Sequence, residues 1–239
     1  MSQGKRARDG VDRTRGLPGE DRPVPVPIAK WRSALPDDAW PRSFPKSGYV
    51  WRQDVFDVAD RWRAGRCTAR QLLAATLMWT YGEQAGGRRR TVRALAGDPT
   101  GALLGAGLQG LLVDHPRMVD LRGAYLALRT TARLPELDAD TCTRLLYFAG
   151  YRRGGSGVQP LILDEMIVKR LPRDAEVSSP ASRGSSLEWV RYIVWAAAQA
   201  AEGEERDRVE MDLAAGGARY GEERNALKDW EARGRHARR

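Results

Sequence analysis

The sequence predicts an all-α protein, and three observations predict it. From Asp54 to the neighbourhood of Ala215, apolar residues recur every three or four positions in one segment after another, the spacing of one helix face. Between these segments stand residues that start and stop helices: Thr68 and Ser186 at starts, Gly65 and Gly82 at ends, Pro116 and Pro172 at boundaries. No alternating run is long enough for a sheet. Leu161-Ile162-Leu163-Asp164 is the one strand-like stretch, and four residues alone do not make one. The 239 residues suffice for one or two domains with a substantial core. With 42% apolar and 30% charged residues and no run of 18 apolar residues, a wholly disordered chain and a transmembrane helix are both excluded.

Residues 1–30 are rich in Gly, Arg, Asp and Pro and end in PVPVPIAK, which predicts a disordered basic arm running into a polyproline-like stretch. Trp31, Trp40, Phe44 and Tyr49 follow among prolines without helical period, so an extended segment over a core is expected. Val55, Val58, Ala59 and Trp62 then share a face, closed by Gly65. Thr68 caps a helix whose Leu72, Leu73, Ala75, Thr76 and Trp79 line one side. After the Gly82 and 85–87 breaks come a short helix over TVRALAG and a Gly-punctuated apolar run over 100–113. Helices are expected over MVDLRGAYLALRTTAR, TCTRLLYFAGY and EMIVKRL, then a Ser/Pro/Gly linker over 173–186. SLEWVRYIVWAAAQAA, with Ser186 as cap, is the last strong core helix, and ERDRVEMDLAAGG is a weaker one. The division is an arm (1–30), a helical domain (31–215) and an Arg-rich tail (216–239) that frays.

The 40 basic and 31 acidic residues give a net charge of +9, which favours a polyanionic partner through steering and counterion release. Residues 1–30 and 216–239 each hold seven basic and four acidic residues, so most of the excess lies in the expected tails. Only Lys5, Lys30, Lys46, Lys169 and Lys228 are lysines, and arginine dominance can reflect a GC-rich genome as well as phosphate recognition. Cys67 and Cys142 cannot build a disulfide framework, and with two histidines they make a poor zinc set. No apolar segment follows the basic N-terminus, so no secretory signal is expected. The expectation is a cytoplasmic monomer without membrane contact, metal or cofactor. His115 can serve as an acid or base, or simply as a cap at a helix start. Gly105-Ala106-Gly107 follows no strand, which excludes a dinucleotide fingerprint.

The stretch from Leu134 to Leu171 carries the chemistry: a helix end, a tight turn, a helix, a loop, and an apolar run ending in Asp164 at a new helix. Three motifs occur in order, Trp79-Thr80-Tyr81-Gly82, Thr143-Arg144-Leu145-Leu146-Tyr147-Phe148-Ala149 and Leu161-Ile162-Leu163-Asp164. On these the chain, over about residues 50–215, resembles the bacterial proteins with an 8-oxoguanine DNA glycosylase fold, within the helix–hairpin–helix DNA glycosylase superfamily. The resemblance implies a two-lobed helical fold, binding to double-stranded DNA, and base excision repair by hydrolysis of the N-glycosidic bond of a damaged or modified purine. It implies Asp164 as the catalytic aspartate.

A glycosylase extrudes its base into an apolar and aromatic pocket, and a carboxylate stabilises the oxocarbenium-like sugar or activates water. Asp164 meets that need; equally, it N-caps the helix after it. The superfamily's lysine slot falls on Asp140 and the bacterial subfamily's on Arg144. Arginine stays protonated and forms no imine. No lysine lies between Lys46 and Lys169, so any activity is expected to be monofunctional. At the hairpin's glycine positions, Pro135-Glu136-Leu137-Asp138-Ala139-Asp140 is acidic, which repels phosphate and suits Asp138 and Asp140 to capping. DNA contacts are therefore sought at Arg88, Arg89, Arg90 and Arg93, at Arg144, and at Arg152 and Arg153, each cluster otherwise a solvated run. Tyr81 and Trp79 are the substrate-pocket candidates, Trp79 fitting the core face as well. Against this enzyme stand two readings: an inactive nucleic-acid-binding or interaction protein on the same scaffold, and an unrelated helical domain. An Asp164 at the floor of a cleft lined by Tyr81 or Trp79 favours the enzyme; a carboxylate consumed by capping on a flat surface favours the binder.

Overall fold

The computed structural model describes residues 22–177 and 184–216. Most of the expected arm (1–21), part of the expected linker (178–183) and nearly all of the expected tail (217–239) lie outside the described residues. Among the described residues the protein is helical, with ten α-helices and one two-stranded ribbon.

The chain enters as β1 (Val24–Pro25), turns through α1 (Ile28–Ala34) and returns as β2 (Tyr49–Val50), which pairs antiparallel with β1. Here the structure differs from the extended segment expected ahead of residue 50. Seven residues are too few to show a helical period, and α1 is held by its tryptophan instead. Trp31 is fully buried and its indole N–H donates to the Gly82 carbonyl at 3.0 Å. The approach of β1 explains the glycine. Gly82 has φ +50°, and a Cβ there would lie 2.7 Å from Val24 Cγ1 and 2.8 Å from the Pro25 carbonyl oxygen.

Next come α2 (Arg52–Arg63), with Gly65 left-handed just past its end, and α3 (Ala69–Tyr81). In α3 the Thr68 hydroxyl accepts from Gln71 N–H while the Gln71 carbonyl accepts from Thr68 N–H, a reciprocal capping box. The helices α4 (Gly87–Ala96), α5 (Ala102–Leu108), α6 (Met118–Arg129) and α7 (Ala139–Gly150) follow. A buried irregular run leads to α8 (Glu165–Arg170), and α9 (Ser186–Gln199) and α10 (Asp207–Ala215) close the described chain. Ser185, one residue ahead of the expected cap, accepts from Leu187 N–H at the start of α9.

Helix α7 is the centre of the molecule, packed against α2, α3 and α6. From Thr141 to Gly150 every residue except Arg144 is buried. Its Tyr147 and Phe148 meet Phe56 of α2 edge-on at 5.1 and 5.0 Å, and Phe148 meets Trp79 of α3 at 5.2 Å. Tyr125 of α6 stacks on Trp189 of α9 at 5.3 Å. Among the described residues no helix is long and apolar enough to cross a membrane.

Candidate functional site

The one half-exposed residue in the heart of α7 marks the site. Arg144 reaches out to Asp164, with Nη2 to Oδ2 at 2.6 Å and both side chains about a fifth exposed. Asp164 ends the run Leu161-Ile162-Leu163, whose three side chains are at most 2% exposed. Buried hydrogen bonds with Trp189 and Thr143 fix that run. The Trp189 indole N–H donates to the Leu161 carbonyl at 2.9 Å, and Leu163 N–H donates to Thr143 Oγ1 at 3.1 Å. Thr143 directly precedes Arg144, so one turn of α7 sets both the backbone before Asp164 and the cation facing its carboxylate. Asp164 also caps α8, with Oδ1 accepting from Met166 and Ile167 N–H at 3.0 Å each. A carboxylate offers about four lone-pair positions. Oδ1 is filled by the cap and Oδ2 shares one position with Arg144, which leaves one on Oδ2 for another partner.

Beside this pair lies a buried polar network that joins α2, α7 and α10. Arg52 clasps Glu210 through both guanidinium nitrogens, at 2.6 and 3.2 Å, and donates to Tyr147 Oη at 3.3 Å. Tyr147 donates to Asp207 at 2.6 Å, and Tyr151 Oη lies within hydrogen-bond reach of Asp207 and Glu205. Burial pushes the Glu210 carboxyl above the usual carboxylate range; Arg52 opposes this, and the Asp207 and Asp164 charges push the same way. Burial likewise holds the Tyr147 and Tyr151 hydroxyls well above the usual phenol range.

The two pocket candidates are placed differently from each other. Trp79 is half-buried; the Arg52 guanidinium covers its ring at 5.2 Å and Phe148 meets it edge-on. Its face is taken, but among the described residues its indole N–H has no hydrogen-bond partner, and neither have the hydroxyls of Thr76 and Thr80 on the same side of α3. Phe148 lies one turn along α7 from Arg144, and it is through Phe148 that Trp79 meets α7. Tyr81 is 7% exposed, packed under the start of α4 and covered by the Arg90 guanidinium at 5.3 Å.

The turn between α6 and α7 is acidic but not bare. Glu136, at the first glycine position of the hairpin pattern, adopts φ +66°. Its carboxylate is held by Arg90 at 2.9 Å and Arg93 at 2.7 Å, both from α4. These arginines, Arg90 first, keep the Glu136 carboxyl below its usual range. Asp138 caps α7 through Thr141 N–H at 2.8 Å, while Asp140 lies in the first turn and not at the cap. An open groove of about 510 Å³ runs along the turn, lined by Arg90, Arg129, Arg133, Glu136 and Asp138 among others.

Of the other candidate arginines, Arg152 serves the fold. It donates to the carbonyls of Leu111, Val113, Ala149 and Tyr151, and burial lowers its guanidinium to about 10. Arg153 is exposed, with its guanidinium 5.5 Å from the Phe56 ring. Arg88 and Arg89 make no ion pair or side-chain hydrogen bond among the described residues. Sequence reasoning missed Thr143, Trp189 and the Arg52–Glu210 pair. Thr143 stood inside a quoted motif; Arg52 and Glu210 are 158 positions apart, and nothing in either neighbourhood announces the other.

No curated protein and no solved structure matches the chain. A family model does, the one described as "Putative 8-oxoguanine DNA glycosylase OGG-like protein", over residues 19–213. That span runs from ahead of the ribbon into α10 and takes in all three motifs read from the sequence. The chain belongs to the 8-oxoguanine DNA glycosylase OGG-like family.

Proposed function

We propose that this protein is a monofunctional DNA glycosylase that hydrolyses the N-glycosidic bond of a damaged purine, with 8-oxoguanine as the first substrate to test and Asp164 as the catalytic carboxylate. The observation that carries the reading is the setting of Asp164. It stands at the end of a buried, doubly tethered run, faces Arg144 at 2.6 Å, and keeps one lone-pair position on Oδ2. In the proposed reaction the C1′–N bond breaks with its electron pair passing to the base. Positive charge grows on the sugar, and the nearby carboxylate stabilises it. Water then adds to C1′ and loses a proton to Oδ2. Arg144 orients Oδ2. The departing base takes up a proton to become the free purine, Oδ2 gives its proton back to solvent, and an abasic site remains in the strand.

The chain's lysines support a reaction that stops there. None lies on α7, and Lys169 on α8 is paired with Glu165 at 2.8 Å. A second reading, a DNA binder without chemistry, draws on the engagement of both Asp164 oxygens in the free protein. Single-turnover assays on duplexes bearing one lesion each decide between them. Asp164→Asn keeps a good helix cap and removes the charge. Strand breaks that need alkali, made by the wild type and slowed by roughly 100-fold or more in Asp164→Asn, are the expected result. Salt-sensitive binding with no product from any lesion would establish the binder.

A further inference from the structure

We infer that the arginines around the α6–α7 turn form an anion site in which the Glu136 carboxylate holds the place of a DNA backbone phosphate, and that the phosphate displaces it on binding. The inference rests on the proposal that the protein binds DNA. A glycine-rich hairpin takes a phosphate on its main-chain N–H groups; here acidic side chains stand at both glycine positions, and the cations come from side chains instead.

Four observations meet at this turn. Glu136 occupies the left-handed region at φ +66°, a conformation disfavoured for any residue with a side chain. Its carboxylate is bridged by Arg90 on one oxygen and Arg93 on the other, as the two non-bridging oxygens of a phosphodiester would be. The Tyr81 ring backs Arg90, and Gly97 at the end of α4 packs so closely on Pro135 that a Cβ there would lie 2.4 Å from Pro135 Cδ. The Arg90 guanidinium is therefore backed by α3 independently of the carboxylate it holds, and the turn itself is held against the end of α4. Finally, the groove is open to solvent and carries further cations. Arg133 is exposed and makes no ion pair among the described residues, whereas Arg129, also on the lining, is held by the Leu137 carbonyl and Cys142. Two carboxylates, Glu136 and Asp138, face this many arginines across an opening that a phosphodiester can enter. The pairs at the rim are half-exposed, and exchange of one anion for another costs little there.

The test is equilibrium binding of the full chain to undamaged duplex DNA, which requires no catalysis. Glu136→Gln removes the resident anion and keeps the side-chain size; Glu136→Gly also frees the strained backbone and serves if the glutamine variant folds poorly. Both are expected to tighten duplex binding by about fivefold, the scale of a rim ion pair. Adding Arg90→Ala and Arg93→Ala to Glu136→Gln should abolish the gain, and Arg133→Ala should weaken binding in every background. Unchanged or weaker binding by both Glu136 variants overturns the inference, as does a gain that survives loss of Arg90 and Arg93. Displacement of duplex by inorganic phosphate at matched ionic strength would reassign the site to the free ion. Cleavage assays judge the glycosylase proposal separately: a binding gain without cleavage of any lesion leaves this site standing and removes the enzyme.

Discussion

Three polar atoms on one side of α3 lack partners among the described residues: Thr76 Oγ1, Trp79 Nε1 and Thr80 Oγ1. Buried polar groups are nearly always hydrogen-bonded, so each exception invites an explanation. Positions i, i+3 and i+4 share a helix face, yet the three residues differ in what surrounds them. Thr76 is 0% exposed within the core, whereas Trp79 and Thr80, one turn on, are half-buried, Trp79 under the Arg52 guanidinium. A ligand-facing role suits the last two; nothing of the kind reaches Thr76, whose hydroxyl is simply a cost. Thr76→Val keeps the shape and removes the orphan oxygen. It should stabilise the protein by about 1 kcal/mol and raise Tm by about 2–4 °C. Thermal denaturation reads this directly, and an unchanged or lower Tm would mean that the hydroxyl has a partner after all.

At the scale of elements, α10 is attached by polar groups as much as by packing. Arg170 of α8 donates to the Leu213 and Ala214 carbonyls at its end, and Arg52 of α2 grips Glu210 in its middle with both side chains at most 10% exposed. The removal of one member of a buried ion pair strands the other charge, whereas the replacement of both by apolar groups does not. Glu210→Ala should therefore cost roughly 3–5 kcal/mol. The double change Arg52→Met with Glu210→Leu should recover most of that loss, and urea denaturation of the three proteins checks both. This is also where legibility in the sequence ends. The helices α2, α3 and α6 to α9 could be read because each carries its own period, and α3, α7, α8 and α9 a side-chain cap as well, whereas α4 shows a period only from Thr91 and α5 shows only an apolar run. Asp164 was legible because an apolar run stops at it. By contrast, α1 and the β1–β2 ribbon exist through contacts across tens of residues, Trp31 to Gly82 among them. The Arg90–Glu136 bridge that neutralises the acidic turn spans 46 residues. Local pattern carries no trace of partners so far apart.

Over the whole molecule, the arginine excess divides into two populations, and only one of them is available to a partner. Arg63, Arg70, Arg129, Arg152 and Arg170 donate to main-chain carbonyls at helix ends and turns, where a planar guanidinium can bridge several acceptors. These are internal staples, and a high pI counts them as if they were surface. Arg88 and Arg89 belong to the other population, at the start of α4, the same helix that carries the Arg90 and Arg93 side of the groove. The two populations separate in one experiment, the salt dependence of duplex affinity. Each phosphate contact contributes about 0.9 to the slope of log K against log salt. Arg88→Ala and Arg89→Ala should each lower that slope by about 1, weaken binding to every sequence alike, and leave Tm in place. Arg152→Ala should do the opposite. Four carbonyls lose their donor and Tm falls, while the slope of the protein that remains folded keeps its value. A slope lowered by Arg152→Ala and untouched by Arg88→Ala and Arg89→Ala would move the DNA-contact surface away from α4 and toward the 152–157 loop.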